Sequence, residues 1–274
     1  MSPLPDYFDV LSINDENGNV DIIQSLLGND CLGSYFENGA AQLYFDGGKK
    51  DDIDGQLKNI NVDFHFQWKW KQQNKADWHL AWQDNFTPVL IENKLAVIPN
   101  WQDNFAAEIV IKIKPGMAFG TGHHETTWLM LNQILKQIKP GMSILDLGAG
   151  SGILSIASVK MGATKVDAVE FDVECETNFN ENLQLNEIDN HIRYYNHDVL
   201  TWENFNYDLI LANINCNIIE DLISKFRGTK AIVILSGLLE SDYEAIEQIC
   251  QKQNFQVKEK INKGEWLCLG ICSL

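Results

Sequence analysis

The sequence predicts an α/β protein in which a Rossmann-like sheet of seven strands follows a small α+β domain of the ferredoxin-like type. Three observations predict this fold class. The run ILDLGAGSG at Ile144–Gly152 is typical of a buried strand that ends in a tight glycine turn and leads at once into a helix. Strand and helix patterns then alternate as far as a terminal pair of strands. Ahead of residue 71 the predicted order is β-α-β-β-α-β, which is that of a split βαβ unit.

The composition predicts a cytoplasmic protein. No apolar run in the 274 residues approaches the roughly 20 that span a bilayer, and the first residues, MSPLPDYFDV, lack the pattern of a signal peptide. Six scattered cysteines without a C-x-x-C pair favour reduced thiols over disulfides. A formal net charge of −17 argues against a partner held by phosphate contacts. We therefore expect neither direct nucleic-acid binding nor membrane binding.

Residues 1–70 are predicted to form a recognition or docking domain, because no catalytic constellation lies in them. Residues 71–87 are predicted to be a linker with a helical segment, in which Trp78, Trp82 and Phe86 recur four residues apart and are best explained by packing. The predicted elements of the first domain are the strands Tyr7–Ser12, Leu32–Phe36, Ala41–Phe45 and Val62–Trp70 and the helices Val20–Leu27 and Asp51–Ile60.

Residues 88–274 are predicted to form the larger domain, which opens with a hairpin at Val89–Pro99. The other predicted strands are Ile109–Ile113, the run before the glycine turn, Val166–Glu170, His191–Tyr195, Tyr207–Ala212, Lys230–Leu235, Val257–Ile261 and Trp266–Ile271. The predicted helices are Thr127–Ile138, the one after the glycine turn, Cys175–Asn186, Ile218–Phe226 and Tyr243–Gln253, and a turn is expected at Ser236–Leu239.

The glycine turn is predicted to bind a nucleotide-like cofactor. Gly148, Gly150 and Gly152 let the backbone approach a ligand, and the following helix presents free N–H groups. A dinucleotide fold requires G-x-G-x-x-G, but here Ile153 stands where that pattern needs Gly or Ala. G-x-G-x-G with Asp146 two residues ahead instead resembles motif I of class I S-adenosylmethionine-dependent methyltransferases. A glycine turn in some other α/β protein remains the alternative.

Further candidate contacts follow neighbouring strands, at the edge where open α/β sheets bind ligands. Glu170 ends the next strand, where a carboxylate can accept hydrogen bonds from both ribose hydroxyls, although a surface glutamate is the alternative. Asp198 is placed to meet an adenine amino group, and Asn213 is aimed at the site rather than at the sheet. The loop Pro115–Thr127 offers hydroxyls and backbone amides to a polar ligand near a helix N-terminus.

Five motifs occur in the order seen in the bacterial ribosomal protein L11 methyltransferase family (PrmA), which the chain resembles over nearly its whole length. They are AFGTGHHETT, ILDLGAGSGILSIA, DLILANIN, ILSGLL and GEWLCLGI. The resemblance implies a seven-stranded methyltransferase sheet as the catalytic domain, behind a substrate-recognition domain. It also implies that S-adenosylmethionine is contacted by Thr127, Gly148, Glu170 and Asn213. The other candidate cofactor-binding residues are Phe119, Gly120, Gly150 and Asp198.

The loop after FGTG departs from the family pattern. The family commonly has T-H-P-T-T there, whereas this chain has HHETT at His123–Thr127. Loss of the proline is expected to loosen the turn, and Glu125 adds a charge beside the cofactor's entry. The side chains of the adjacent His123 and His124 diverge, so we predict no metal site there. Glu170 replaces the more usual aspartate but is long enough to reach a ribose diol.

The resemblance implies methyl transfer to lysine ε-amines and the N-terminal α-amine of ribosomal protein L11, with S-adenosylhomocysteine as the product. Asn213 is the candidate catalytic residue, since its side-chain oxygen can stabilise charge developing on the acceptor nitrogen. No general base stands out, and we expect a monomer. Three alternatives stay open: a methyltransferase of another amine, a non-catalytic cofactor-binding adaptor, and a nicotinamide oxidoreductase, which Ile153 disfavours.

Overall fold

The computed structural model describes residues 7–14, 23, 27, 31, 33–37, 40–74, 87–114, 120, 122, 124–188 and 190–274. The chain divides into two compact units, Met1–Phe86 and Thr87–Leu274. The predicted stripe of Trp78, Trp82 and Phe86 lies outside the described residues, as does most of the predicted helix Val20–Leu27. No helix in the described ranges is long and apolar enough to cross a membrane.

The first unit contains a four-stranded antiparallel sheet. Its elements are β1 (Tyr7–Asn14), β2 (Gly33–Glu37), β3 (Ala40–Asp46), helix α1 (Lys50–Phe64) and β4 (Gln67–Asn74), and the strand order is β2-β3-β1-β4. Leu11 and Ile13 alternate along β1 and are fully buried, together with Leu43 of β3 and Leu57 of α1. This order and these antiparallel pairings agree with the ferredoxin-like domain that the sequence predicts.

The last strand of this unit begins later than predicted, because α1 continues through residues 62–64. The side-chain oxygen of Asn61 accepts a hydrogen bond from the Phe66 amide at 2.6 Å, and His65 adopts a left-handed φ of 53° that ends the helix. Val62, whose apolar side chain favoured a strand, is 71% exposed on the helix. The strand then continues through Asn74 in register with β1, so residues 71–74 belong to the sheet and not to a linker.

The second unit has a three-stranded sheet of β5 (Val89–Ile91), β6 (Leu95–Pro99) and β7 (Ile109–Ile113), followed by an alternation of helices and strands. The later elements are α2 (Glu125–Gln137), β8 (Ser143–Leu147), α3 (Ile153–Lys160), β9 (Lys165–Glu170), α4 (Cys175–Leu185), β10 (Ile192–Asn196), β11 (Leu209–Asn213), α5 (Cys216–Lys225), β12 (Ile232–Leu239), α6 (Tyr243–Lys252), β13 (Phe255–Lys263) and β14 (Trp266–Ser273).

Seven of these strands form one sheet in the order β10-β9-β8-β11-β12-β14-β13, which confirms the predicted Rossmann-like sheet. The first five are parallel, and β14 and β13 close the sheet as an antiparallel pair. Helices cover both faces. Ile144 of β8 packs in the core that includes Ile156 of α3, whereas the next residue, Leu145, packs in the core that includes Ile219 of α5.

Strand β12 contains the residues predicted to form a turn, Ser236–Leu239. Its pairing with β14 shifts register between Ser236 and Leu238, and Gly237 between them has a φ of 89°. A glycine with positive φ in a strand is typical of a β-bulge, in which the pairing is interrupted but the strand continues. The predicted turn is therefore wrong, because residues 236–239 continue the strand and Gly237 forms a bulge within it.

Candidate cofactor and methyl-transfer site

The carboxyl ends of three parallel strands bring predicted site residues together. Leu147 of β8 is in register with Val169 of β9 and with Ala212 of β11. The residues that follow them lie side by side at one edge of the sheet: Gly148, Glu170 and Asn213. Because neighbouring strands are about 4.8 Å apart, the outer two residues are about 10 Å from each other with the glycine between them.

The glycine turn is built from three residues with positive φ: 74° at Gly148, 49° at Gly150 and 81° at Gly152. The absent side chains also make room for packing. A Cβ on Gly148 would lie 2.3 Å from Cγ2 of Ile214, and one on Gly152 would lie 2.8 Å from the ring of Phe179. These two glycines therefore serve the packing of the loop as well as its backbone conformation.

Glu170 holds the glycine turn from the neighbouring strand. One carboxylate oxygen accepts a hydrogen bond from the Gly150 amide at 2.9 Å, and the other accepts one from the Asp172 amide at 2.9 Å. The predicted ribose-binding carboxylate is thus fixed beside the loop by two backbone donors. An ionised carboxylate has further acceptor capacity on both oxygens, so these bonds leave it able to bind hydroxyl groups.

Two predicted site residues have buried oxygens without a hydrogen-bond partner in the described part of the chain: Oγ1 of Thr127 and Oδ1 of Asn213. Thr127 lies in the first turn of α2 and is fully buried, and Asn213 is the last residue of β11. Buried polar atoms in proteins nearly always have partners, and an unsatisfied one costs about 1–3 kcal/mol. A polar ligand at this edge would supply what the protein does not.

Asp146, the penultimate residue of β8, is a further polar group at the base of the loop. It is fully buried; Ser155 Oγ donates to one carboxylate oxygen at 2.6 Å, and the other has no partner among the described residues. Burial raises the pKa of Asp146 to about 6, the hydrogen bond from Ser155 opposes this rise, and the charge of Glu170 adds to it.

The start of α2 connects the preceding loop to this site, although Phe119 lies outside the described residues. The carbonyl oxygen of Gly120, another predicted contact, accepts a hydrogen bond from Ser151 Oγ of the glycine turn at 2.7 Å. Nδ1 of His124 accepts from the Thr126 amide at 3.3 Å and so caps the helix. Glu125 is the first helical residue, where a negative charge is favourable. The cap thus comes from His124, which the family's pattern shares, and the change from proline to Glu125 places a carboxylate in the first turn.

Asp198 lies after β10, and its side chain already has a structural role. One carboxylate oxygen accepts a hydrogen bond from the Leu200 amide at 2.8 Å and caps a short 3-10 turn, Val199–Thr201. The residue is half-buried, and none of its hydrogen bonds to described residues reaches the glycine turn. Its predicted role toward an adenine amino group therefore stays a prediction.

Two contributors to this edge were missed in the sequence. Ser151 joins the glycine turn to Gly120, and Ile214 fills the space left by the Cβ that Gly148 lacks. Neither has a signal of its own, because a serine between glycines and an isoleucine after a strand are common in any α/β protein. The contacts arise only once the sheet has aligned the two loops.

Comparison with known proteins identifies the family. The profile of the family described as ribosomal protein L11 methyltransferase (PrmA) matches residues 12–272. The chain belongs to the ribosomal protein L11 methyltransferase family. A family member from Acetivibrio thermocellus is 34% identical over 205 residues, 73% of this chain and 65% of that protein. One from Ruminiclostridium cellulolyticum is 33% identical over 257 residues, 88% of this chain and 81% of that protein.

A solved structure of this family has the same fold. The ribosomal protein L11 methylase of Lactobacillus delbrueckii subsp. bulgaricus superposes with a TM-score of 0.64 at 33% identity, covering 69% of this chain and all but 1% of that one. The fit of the site to the family's cofactor rests on features of this chain. Beside the glycine turn lie the carboxylate of Glu170, fixed by the Gly150 amide, and Asn213, whose Oδ1 has no partner among the described residues, as is also true of Oγ1 of Thr127. These carboxylate, hydroxyl and amide oxygens can accept hydrogen bonds from the hydroxyl and amino groups of S-adenosylmethionine.

Proposed function

We propose that this protein transfers methyl groups from S-adenosylmethionine to amino groups of ribosomal protein L11, namely lysine ε-amines and the N-terminal α-amine. One observation carries the proposal: in a member of this family, the buried Oδ1 of Asn213 has no partner within the described structure and lies beside the glycine turn. A carbonyl oxygen in that state is a preorganised acceptor for an amine N–H.

The cofactor is held, in this proposal, by the predicted set on the glycine turn and around it. Glu170 accepts hydrogen bonds from the ribose. Oγ1 of Thr127 and Oδ1 of Asn213, which have no partner among the described residues, bind polar atoms of the cofactor, and Asp198 contacts the adenine. The remaining contacts are Phe119, Gly120, Gly148 and Gly150. When bound, the cofactor supplies a methyl group on a positively charged sulfur, and S-adenosylhomocysteine is the product.

The acceptor amine must be neutral to react. A free lysine has a pKa of about 10.4, so reaching the neutral form at pH 7 costs roughly 4–5 kcal/mol. Desolvation at the closed site lowers the pKa of the amine and so reduces this cost. Asn213 Oδ1 accepts an N–H of the neutral amine and orients its lone pair, and it stabilises the positive charge that then develops. No dedicated base is required, because the amine can lose its proton to water before it docks.

The test is transfer of labelled methyl groups to unmodified ribosomal protein L11. We expect wild type to label this protein and Asn213→Ala to label it at least about a hundredfold more slowly, since the acceptor that stabilises the transition state is removed. The matched control is Asn215→Ala, because Asn215 is exposed two residues further on and its side chain caps no helix. It should retain the wild-type rate.

The same assay separates the alternatives. Label on another amine-containing substrate but not on ribosomal protein L11 would overturn the substrate assignment. No transfer above the blank, despite tight cofactor binding, would favour a cofactor-binding adaptor.

We further propose that the reaction takes place in the cytoplasm and that the protein acts as a monomer. Among the described residues, the thiols of Cys175, Cys216, Cys250, Cys268 and Cys272 form no disulfide, which suits a reducing compartment. Analytical ultracentrifugation of the purified protein tests this oligomeric state, and we expect the mass of a single chain, 31.1 kDa.

A further inference from the structure

The chain segment after Asn213 is confined by two glycines that lie far apart in sequence. Ile214 places Cγ2 in the space of the Cβ that Gly148 lacks, at 2.3 Å from that position. On its other side, the carbonyl oxygen of Ile214 lies 2.1 Å from the position of a Cβ on Gly237, and its carbonyl carbon lies at 2.8 Å. Neither site can accept a methyl group unless Ile214 moves.

Gly237 constrains Ile214 more tightly than Gly148 does. Gly237 faces the backbone of Ile214, whereas Gly148 faces only the side chain, which can change its rotamer. It sits in the bulge of β12 with a φ of 89°, next to Ser236, which is in register with Asn213. The Ile214 amide donates a hydrogen bond to the Ser236 carbonyl oxygen at 3.1 Å. Both backbone polar groups of Ile214 thus lie against the bulge, so the bulge fixes the peptide that follows Asn213.

We propose that Gly237 is a positioning residue for methyl transfer: the bulge of β12 sets the place of the Asn213 side chain by holding the backbone of Ile214. The inference rests on the proposed function of Asn213. A side-chain Cβ at 237 must displace the carbonyl of Ile214 by a large fraction of an ångström or more. A misplacement of about 1 Å at a reacting group lowers a rate by up to about a hundredfold.

Gly237→Ala tests this proposal against a matched control, Gly228→Ala. Gly228 also has a positive φ, 84°, but apart from its chain neighbours no atom of the described residues lies within 4 Å of its Cβ position. Both variants place an alanine at a similar positive φ, 89° and 84°, and only the first meets Ile214. We expect Gly237→Ala to lower kcat, measured at saturating S-adenosylmethionine, about ten- to a hundredfold with the KM for ribosomal protein L11 changed by less than about threefold, and Gly228→Ala to keep the wild-type kcat.

A second readout is independent of activity. Hydrogen exchange at the Ile214 amide should be faster in Gly237→Ala than in Gly228→Ala, because the bond to Ser236 is disturbed. If Gly237→Ala does not fold, Gly237→Asn replaces it, since asparagine tolerates a left-handed backbone and still brings a Cβ. A kcat and an Ile214 exchange rate equal to those of Gly228→Ala would overturn the proposal.

The two proposals fail in different ways. If wild type does not methylate ribosomal protein L11, the proposed function is wrong, and the exchange rate alone decides whether the bulge holds Ile214. If Asn213→Ala keeps the wild-type kcat while Gly237→Ala loses it, Gly237 does not act through Asn213 and this inference is wrong. Support requires that the double variant Gly237→Ala with Asn213→Ala be no slower than Asn213→Ala alone.

Discussion

At the scale of single residues, Asp146 at the base of the glycine turn makes the free energy of unfolding depend on pH. Its carboxylate is fully buried at the end of β8, with Ser155 as donor to one oxygen only. Because burial raises its pKa to about 6, the folded state binds a proton more tightly than the unfolded chain does. Stability that is present below about pH 4 is therefore lost as the pH rises to about 6.

We predict that Asp146→Asn becomes more stable relative to wild type as the pH rises from about 4 to about 7. The gain is on the order of 1–3 kcal/mol, since the buried charge is removed while an acceptor for Ser155 remains. Urea unfolding of both proteins across this pH range measures it. A difference in unfolding free energy that stays constant or shrinks with rising pH would contradict the prediction.

Asp208 is a control in which the pKa is shifted in the opposite direction, downward. Hydrogen bonds from the backbone and side chain of Ser143, both at 2.8 Å, lower the pKa of Asp208. The stability it contributes is present above the ordinary pKa of an aspartate and is lost as the pH falls. Asp208→Asn should therefore lose stability relative to wild type at neutral pH and approach it in acid.

At the scale of elements, a row of asparagines ties helix α4 to the neighbouring strand and to the glycine turn. Asn186 donates to the Lys112 carbonyl at 2.6 Å and accepts from its amide at 2.9 Å. Asn182 accepts from the Lys114 amide at 2.7 Å and donates to the Ser151 carbonyl at 2.8 Å. The two residues are four apart and share a helix face, so α4 satisfies backbone groups of two other segments.

We predict that Asn182→Ala destabilises the fold by about 2–4 kcal/mol, because it removes the partner of the buried Ser151 carbonyl and of the part-buried Lys114 amide. Asn178→Ala, one turn earlier, is the control: among the described residues, its one bond to another segment is to the Lys114 carbonyl at 3.0 Å, in an exposed place. That change should cost less than about 1 kcal/mol. Equal losses of unfolding free energy in the two variants would show that the bonds of Asn182 to Ser151 and Lys114 do not stabilise the fold more than the exposed bond of Asn178 does.

The elements were largely predictable, and the failures have physical causes. The hairpin at β5 and β6 follows from its turn, where Glu92 and Asn93 adopt positive φ, and the glycine turn follows from its spacing. The end of α1 could not be predicted, because it depends on the Asn61 side chain bonding the Phe66 amide. In the site, the strand ends were predictable from the pattern, whereas the contacts of Ile214 depend on the alignment of distant loops.

At the scale of the whole molecule, the two units have separate hydrophobic cores. The core of the first unit is formed by residues between Leu11 and Trp70. Both main cores of the second unit are formed by residues from 89 onwards, and the seven-stranded sheet lies entirely within that unit. All the candidate cofactor-binding residues are also in the second unit, so cofactor binding and substrate recognition are divided between the units in our account.

We predict that a fragment of residues 87–274 binds S-adenosylhomocysteine with a Kd within about threefold of that of the full chain, since it keeps the whole site and its cores. It should methylate ribosomal protein L11 at least about a hundredfold less efficiently, because the recognition domain is missing. Calorimetry and the methyl-transfer assay measure the two quantities. Full methylation by the fragment would show that the first unit is not needed for recognition.

The most direct test of the central claim is the intact mass of ribosomal protein L11 from cells with and without the gene for this chain. If this chain methylates ribosomal protein L11, the mass is higher by whole methyl increments when the gene is present, and it is the unmodified mass when the gene is deleted or carries Asn213→Ala. Identical masses in all three strains would contradict the account.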